Sequence, residues 1–427
     1  MTRPTPAERL EAIVEQGLCI GCGVCRSIAG SDTVAVTLTE TGYQQPVVIG
    51  ELDHSTVDTI YDVCPGVRVD GPTGAAAGRG ATIDPVWGPW RRIVRSWAAD
   101  PDVRYEGSTG GVLTALGQYV LRTGLVDVVL HTRPSVDDPT GGEPTLSSTE
   151  ADVFRSGGSR YGPAAPLRDI AEVLDLGRPF AVIAKPCDIA ALANLARHDE
   201  RVDELVRYRL TMVCGGIGPP AFTDGFLERI GIDRHDLTAF RYRGRGCPGP
   251  TRAETAVRVE ERHYLDFWGD DESMWSLPWR CKICPDGIGE LADIAAADTW
   301  PGGSPTRDGS ETDPGTNAVI ARTTAGLELL EAAARDGALT IECDIGPDDM
   351  SVYQPHQVRK KHAVAPRLAG IADMGRITPR FTGLRLDELA ATSPPDVNER
   401  QRAGTRDRIR IGKATEPTPR ARPNSPS

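Results

Sequence analysis

Three cysteines separated by equal two-residue gaps, Cys19, Cys22 and Cys25 in the run CIGCGVC, constrain this chain more than any other feature. A loop that tight lets three thiolates take three corners of an iron–sulfur cubane. Gly21 and Gly23 allow the backbone to turn closely around an inorganic core and to aim amide N–H groups at sulfur. The fourth thiolate must come from elsewhere, and Cys64, followed by Pro65, is the candidate, 39 residues beyond Cys25. A structural zinc site is the competing reading. Zinc prefers paired Cys-x2-Cys knuckles set well apart to three cysteines at equal steps.

The rest of the composition narrows the setting for such a loop. A chain of 427 residues suits two or three domains with a buried core. Its net charge of −12 argues against general nucleic-acid binding and against an anionic membrane surface as the main partner. No apolar stretch approaches the roughly 20 residues of a membrane span. The N-terminus has no apolar h-region, so a cytoplasmic location is expected. In a reducing compartment, ten clustered cysteines point to metal or redox work and not to disulfides.

Residues 1–70 carry cysteines at both ends, with strand-like alternation over 33–38 between them. A Cys-Pro near such a run is a ferredoxin habit, so the segment reads as ferredoxin-like and 4Fe–4S-binding. Residues 71–87, opening on GPTGAAAGRGATID, read as a linker. Residues 88–345 alternate strands (126–131, 180–184, 205–213) with helices (112–122, 188–197). They close with a β–α–β unit over 316–322, 326–335 and 339–344. That rhythm predicts a mixed α/β core. Residues 135–150 read as an acidic loop and 346–396 as a helical extension. The Arg-, Pro-, Thr- and Ser-rich residues 397–427 read as a disordered tail.

Two glycine loops have the makings of an anion site. Ser108, Thr109, Gly110 and Gly111 precede the helix expected from Val112, where hydroxyls, N–H groups and the helix dipole suit a pyrophosphate. The second loop, Gly157 to Gly162, adds Ser159, an Arg for phosphate and Tyr161 for stacking. Neither is a Walker loop or G-x-G-x-x-G. The blander readings are a helix cap and a turn. A second cysteine group comprises Cys187 and Cys214, each after an expected strand, and the pair Cys281 and Cys284 in WRCKICPD. Carboxyl ends of strands gather on one sheet edge, so these four could converge. Cys247 and Cys343 read as ordinary buried thiols.

The segments CIGCGVC, STGGVLTALGQYVLRTGLVDVVL, GSRYGP, AKPCDIAAL, VCGG, FRYRGRGCPG and CKICPDGIGELADIAAADTW follow one another from residue 19 to about 300. In them the chain resembles the beta-subunit family of coenzyme F-420-reducing hydrogenases and dehydrogenases, whose relatives include 7-hydroxymethyl chlorophyll a reductase. The resemblance implies a flavin-binding core with FAD and 4Fe–4S clusters, two in all with the N-terminal loop, and coenzyme F-420 as hydride partner. It implies Cys187, Cys214, Cys281 and Cys284 as ligands of a central cluster, beside Cys19, Cys22, Cys25 and Cys64 for the first. It assigns Ser108 to Gly111, Thr114, Ser159 and Tyr161 to the flavin, and Lys185 to a phosphate or flavin oxygen.

Lys185 and Asp188 are also the nearest acid–base candidates, although Asp188 suits a helix N-terminus in any case. Clusters carry single electrons and flavins also take hydride, so the pairing implies an oxidoreductase fed by ferredoxin or another redox subunit. A ferredoxin-dependent FAD reductase of another small molecule, or a non-catalytic electron-transfer subunit, is the alternative. A homo-oligomer is compatible with either. The chain departs from the family pattern at Ala297, where Gly is expected. It also departs beyond residue 345, where Arg359, Lys360, Lys361 and His362 form a basic patch suited to an acidic partner, a polyanionic tail or merely solvent.

Overall fold

The computed structural model describes residues 4–39, 42–72, 80–218, 220–269 and 277–415. Its centre is an eight-stranded mixed sheet of β1 (Arg92–Ala98), β2 (Val128–Pro134), β3 (Gly142–Ser147), β4 (Phe180–Ala184), β5 (Val206–Met212), β6 (Ile294–Asp298), β7 (Asn317–Ala321) and β8 (Leu339–Asp344). The spatial order is β8-β1-β7-β6-β5-β4-β2-β3. The four strands β6, β5, β4 and β2 run parallel. β3 closes one edge antiparallel to β2, while β7, β1 and β8 extend the other edge, each antiparallel to its neighbour.

The apolar runs of β4 and β6 follow from this order, because a parallel block is covered on both faces. On one face α1 (Val112–Arg122) sets Val112, Leu116 and Val120 against Val129, Ala181 and Leu210. On the other, α2 (Pro186–Leu195) sets Ile189 and Leu192 against Val128, Phe180 and Val182. Alternate residues of each strand therefore face opposite helices. A separate three-stranded sheet, Leu237–Arg241, Pro250–Thr255 and Val259–His263, carries an aromatic cluster of Phe226, Phe240, Tyr242, Phe267 and Trp268.

The N-terminal segment folds as helices Pro6–Glu15, Val24–Ala29 and His54–Val63 around a hairpin of Val34–Leu38 and Gln44–Val48. Its core of Leu10, Ile13, Val57 and Ile60 also takes in Trp279 and Ile283 from around the second cysteine group. The C-terminal extension is partly helical, led by α3 (Pro355–Ala372), and also contributes a strand, Arg380–Thr382, that pairs in parallel with Arg68–Asp70. The fully buried Glu290 carboxylate fixes the extension to the core through ion pairs with Lys361 and Arg385. No helix of the described residues is long and apolar enough to cross a membrane.

Four expectations need correction. Residues 142–147 of the acidic loop are β3, an edge strand, where Pro144 is tolerated. Part of the expected linker is ordered: Thr82–Asp84 pairs with Gly88–Trp90, and Trp87 is buried with Nε1 donating to Ser351 Oγ at 2.9 Å. Its residues 73–79 lie outside the described residues. The tail expected to be disordered from 397 is helical over Pro395–Arg410, where Arg402 and Arg406 pair with Asp373, the C-cap residue of α3, at 2.5 and 2.9 Å. Residues 416–427 lie outside the described residues. Cys343 is exposed, because its end of β8 lies on the sheet's outer edge.

Replacing Glu290 with Ala would leave the buried Lys361 and the half-buried Arg385 uncompensated. The expected loss is about 3–5 kcal/mol of unfolding free energy, read by urea denaturation. Adding Lys361→Met should restore part of it, because one of the two stranded cations is then gone.

Candidate functional site

The first cysteine loop closes on itself. Cys19, Cys22, Cys25 and Cys64 line one small cavity whose remaining walls are apolar apart from Gln44, among them Leu10, Ile13 and Ile60. The Gly21 N–H points at Cys19 Sγ at 3.4 Å. Gly21 and Gly23 adopt φ of +69° and +84°, and a Cβ at Gly23 would stand 2.7 Å from Arg168 Cβ. Burial, then the neighbouring Cys64, Asp188 and Cys25, push the Cys22 thiol well up, and burial raises the Cys64 thiol. Such sites bind metal only by giving up these protons, with the cation compensating the charge.

The second group forms at the carboxyl edge of the parallel strands. Cys187 lies in the first turn of α2, just after β4, and Cys214 follows β5. Cys281 lies in the helical turn Trp279–Lys282 and Cys284 just beyond it. Burial and then Asp188 raise the Cys187 thiol, with Cys214 and Cys284 adding to the effect. Burial and then Cys281 push Cys214 up to about 11. Cys187 thus has Cys214 and Cys284 as neighbours, and Cys214 has Cys281 and Cys284, so the four cysteines gather at this edge. Among the described residues, no three His, Cys, Asp or Glu side chains already stand in metal-coordinating geometry.

Arg280 ties the two cysteine groups together. Buried beside Cys281, it donates from Nη2 to Pro65 O at 2.6 Å and from Nε to Gly66 O at 3.2 Å, directly after Cys64. A small cavity joins Cys19 and Gly21 to Lys185 and Ile217, so the first loop also approaches the site at the sheet edge.

That site is a cavity of about 610 Å³. Ser108, Thr109, Gly111, Thr114, Ser159, Tyr161, Lys185 and Asp188 all line it, and so does Cys214. Gly110 stands behind them with φ +136°, where a Cβ would meet Asn317 Oδ1 at 2.8 Å. The cap of α1 is Gly111, which has no side chain to cap with, so neither Ser108 nor Thr109 is the helix cap. Ser108 Oγ instead accepts from Ser159 N at 3.0 Å, which locks the two glycine loops together. Lys185 Nζ donates to Asp188 Oδ2 at 2.6 Å. Burial favours the neutral amine, but Asp188 and then Cys187 hold the Lys185 ammonium above its ordinary value. Lys185 is therefore a fixed positive charge and donor on this wall and not a free base. Asp188 Oδ1 is buried with no partner among the described residues.

Several lining residues gave no sequence signal. Asn317, at the start of β7, donates from Nδ2 to Thr109 Oγ1 at 2.8 Å and to Ala297 O at 3.2 Å, and its Oδ1 lies 3.4 Å from Val112 N. Arg243, quoted only within FRYRGRGCPG, pairs with Asp298 at 2.9 Å and donates to Ser108 O at 2.8 Å beneath Tyr264 and Trp300. Arg160 Nη2 donates to Ser156 O and Gly157 O at 3.0 and 3.1 Å, and burial pulls its pKa down to about 10. The basic patch is split between two settings: Lys361 is buried on Glu290, while Arg359 and Lys360 line the cavity beside His356. Burial, then Lys360 and Arg359, push His356 down to about 4, so its ring is neutral. Aromatic walls, unmatched cations and the orphaned Asp188 Oδ1, Arg160 Nε and Arg243 Nε suit a large planar ligand bearing phosphates.

Comparison with known proteins finds two family models and several relatives. The model of the coenzyme F-420 hydrogenase/dehydrogenase beta subunit N-terminus matches residues 93–171, and the model of its C-terminus matches residues 177–344. The beta subunit of F-420-dependent formate dehydrogenase 1 from Methanococcus maripaludis is 32% identical over 124 residues, covering 29% of this chain and 31% of that protein. The F-420-dependent formate dehydrogenase beta subunit of Methanocaldococcus jannaschii is 26% identical over 272 residues, 62% of this chain and 63% of that one. The matched stretches thus span less than two thirds of either relative. A chain in the solved F-420-reducing NiFe hydrogenase complex of Methanosarcina barkeri superposes with TM-score 0.53 at 20% identity, covering 68% of this chain and 97% of that chain, a likeness of fold.

Replacing Arg280 with Ala strands the carbonyls of Pro65 and Gly66, at about 1–3 kcal/mol for each one left buried and unpaired. Urea unfolding should show that loss, and limited proteolysis should release the N-terminal segment faster. Arg280→Lys should be intermediate, because an ammonium cannot fork between two fixed carbonyls as guanidinium does.

Proposed function

The chain belongs to the coenzyme F-420 hydrogenase/dehydrogenase beta-subunit family, and from that premise we propose that it is an iron–sulfur flavoprotein oxidoreductase with coenzyme F-420 as its hydride partner. One observation carries the reading. A single cavity at the carboxyl edge of the parallel strands is lined by both glycine loops, by four aromatic rings and by Cys214 of the second cysteine group.

FAD would occupy this cavity, held by Ser108, Thr109, Gly111 and Thr114 at the N-terminus of α1 with Gly110 behind them, and with Arg160 for its phosphates. Ser159 and Tyr161 flank the ring system, and Lys185, oriented by Asp188, offers a fixed donor to a flavin oxygen. Bound there, a flavin supplies the conversion between hydride transfer and single-electron steps. Cys187, Cys214, Cys281 and Cys284 would hold one 4Fe–4S cluster, and Cys19, Cys22, Cys25 and Cys64 a second. The first cysteine loop lies outside the residues matched by the family models, which begin at 93. It gives this chain its own entry point for a one-electron partner, a ferredoxin or another redox subunit.

Anaerobic purification with iron, sulfide and flavin analysis tests the assignment. Two cubanes and one flavin predict about eight irons and one FAD per chain. Cys64→Ala should bring iron down to about four while flavin stays. Zinc without flavin would overturn the redox reading.

A further inference from the structure

The cavity carries more positive charge than its own carboxylates balance, in a chain whose net charge is −12. Arg160, Lys185, Arg243, Arg359 and Lys360 line it, against Asp188 and Asp298. Both carboxylates are already engaged, Asp188 by Lys185 at 2.6 Å and Asp298 by Arg243 at 2.9 Å. Arg160, Arg359 and Lys360 have no carboxylate partner among the described residues.

These three cations belong to different walls. Arg160 sits with the glycine loops, where the FAD phosphates are assigned. Arg359 and Lys360 come from α3, beyond residue 344, where the family models stop matching. Lys360 Nζ reaches Gly215 O at 3.0 Å, next to Cys214, while the Arg359 guanidinium makes no hydrogen bond or ion pair among the described residues. His356, one turn earlier, faces the same backbone, its Nε2 being 3.9 Å from where a Gly215 Cβ would stand. The Gln357 amide, 3.1 Å from His356 Nε2, favours the tautomer that leaves Nδ1–H as a donor. The helix itself runs 18 residues and begins at Pro355, so its N-terminal dipole adds to the same field.

We propose that His356, Arg359 and Lys360 on α3 form a second anion subsite, which takes the phosphate- or carboxylate-bearing tail of the deazaflavin hydride partner. This rests on the function proposed above and adds to it a reason for the C-terminal extension. A forked guanidinium and a neighbouring ammonium at a cavity wall make charge-assisted hydrogen bonds to a phosphate and draw an anionic ligand in. With the tail held on α3, the two anionic ligands do not compete for Arg160.

Binding to the anaerobically purified full chain is read with three probes: F-420, its chromophore stripped of the phosphate-bearing tail, and tripolyphosphate. Deazaflavin fluorescence reports the first two and calorimetry the third. The wild type should bind F-420 at least about tenfold more tightly than the bare chromophore. Arg359→Ala with Lys360→Ala should shrink that ratio to about twofold. Raising ionic strength on the wild type should shrink it too, a readout independent of any folding defect in the variant. A ratio that survives the double substitution, or no preference in the wild type, overturns the proposal. If neither deazaflavin binds but tripolyphosphate does, and the double variant loses it, the F-420 reading fails while the subsite stands. If tripolyphosphate also fails to bind, or binds both proteins equally, the subsite fails.

Discussion

The arrangement depends on a buried guanidinium that no carboxylate of the described residues reaches. Arg280 is 2% exposed, and the carbonyls of Pro65 and Gly66 take the place of its lost water. The ring of Phe381 lies 4.9 Å from it. One side chain therefore joins the backbone beside Cys281, the backbone just after Cys64, and the strand of the C-terminal extension that pairs with residues 68–70. Three pieces far apart in sequence become one body around the cysteines. The link is reinforced by Asn194, whose Nδ2 donates to Val63 O and Arg68 O at 3.2 and 3.0 Å, and by the Arg26–Asp169 ion pair.

The sheet determines where chemistry can occur. Four parallel strands deliver their carboxyl ends to one edge, and the residues that follow them are Lys185, Cys187 and Cys214. The antiparallel neighbours bring two further elements to the same edge: β1 runs into the Ser108–Gly111 loop, and β7 starts there with Asn317. The binding cavity is thus built outside the carboxyl ends of the parallel strands, the usual place for a ligand in an open α/β sheet. The extension then covers one side of it, anchored through Glu290, and contributes cations that the core does not supply.

Local patterns were legible where local physics decides. Both cysteine groups, the glycine loops, and the strands over 180–184 and 339–344 stand in short runs whose composition fixes their conformation. Other features depended on what lies across the fold. β3 was hidden by its Gly and Pro content, which an edge strand tolerates. The helix Pro395–Arg410 has almost no apolar stripe and is held by ion pairs to Asp373, a partner the sequence does not point to. Asn317 belongs to no motif, and it acquires its place only because β7 lies antiparallel to β6. The run from Arg359 to His362 looked uniform in sequence, yet one turn of helix sends Lys361 into the core and its two predecessors to the cavity.

Anaerobic mixing of the full chain with reduced F-420, followed in the visible spectrum, addresses the central claim most directly. Hydride exchange at this cavity predicts that oxidised deazaflavin absorbance appears as the protein's own flavin and cluster absorbance bleaches. A protein that loads flavin and iron and is bleached by dithionite, yet leaves reduced F-420 unchanged, would contradict it.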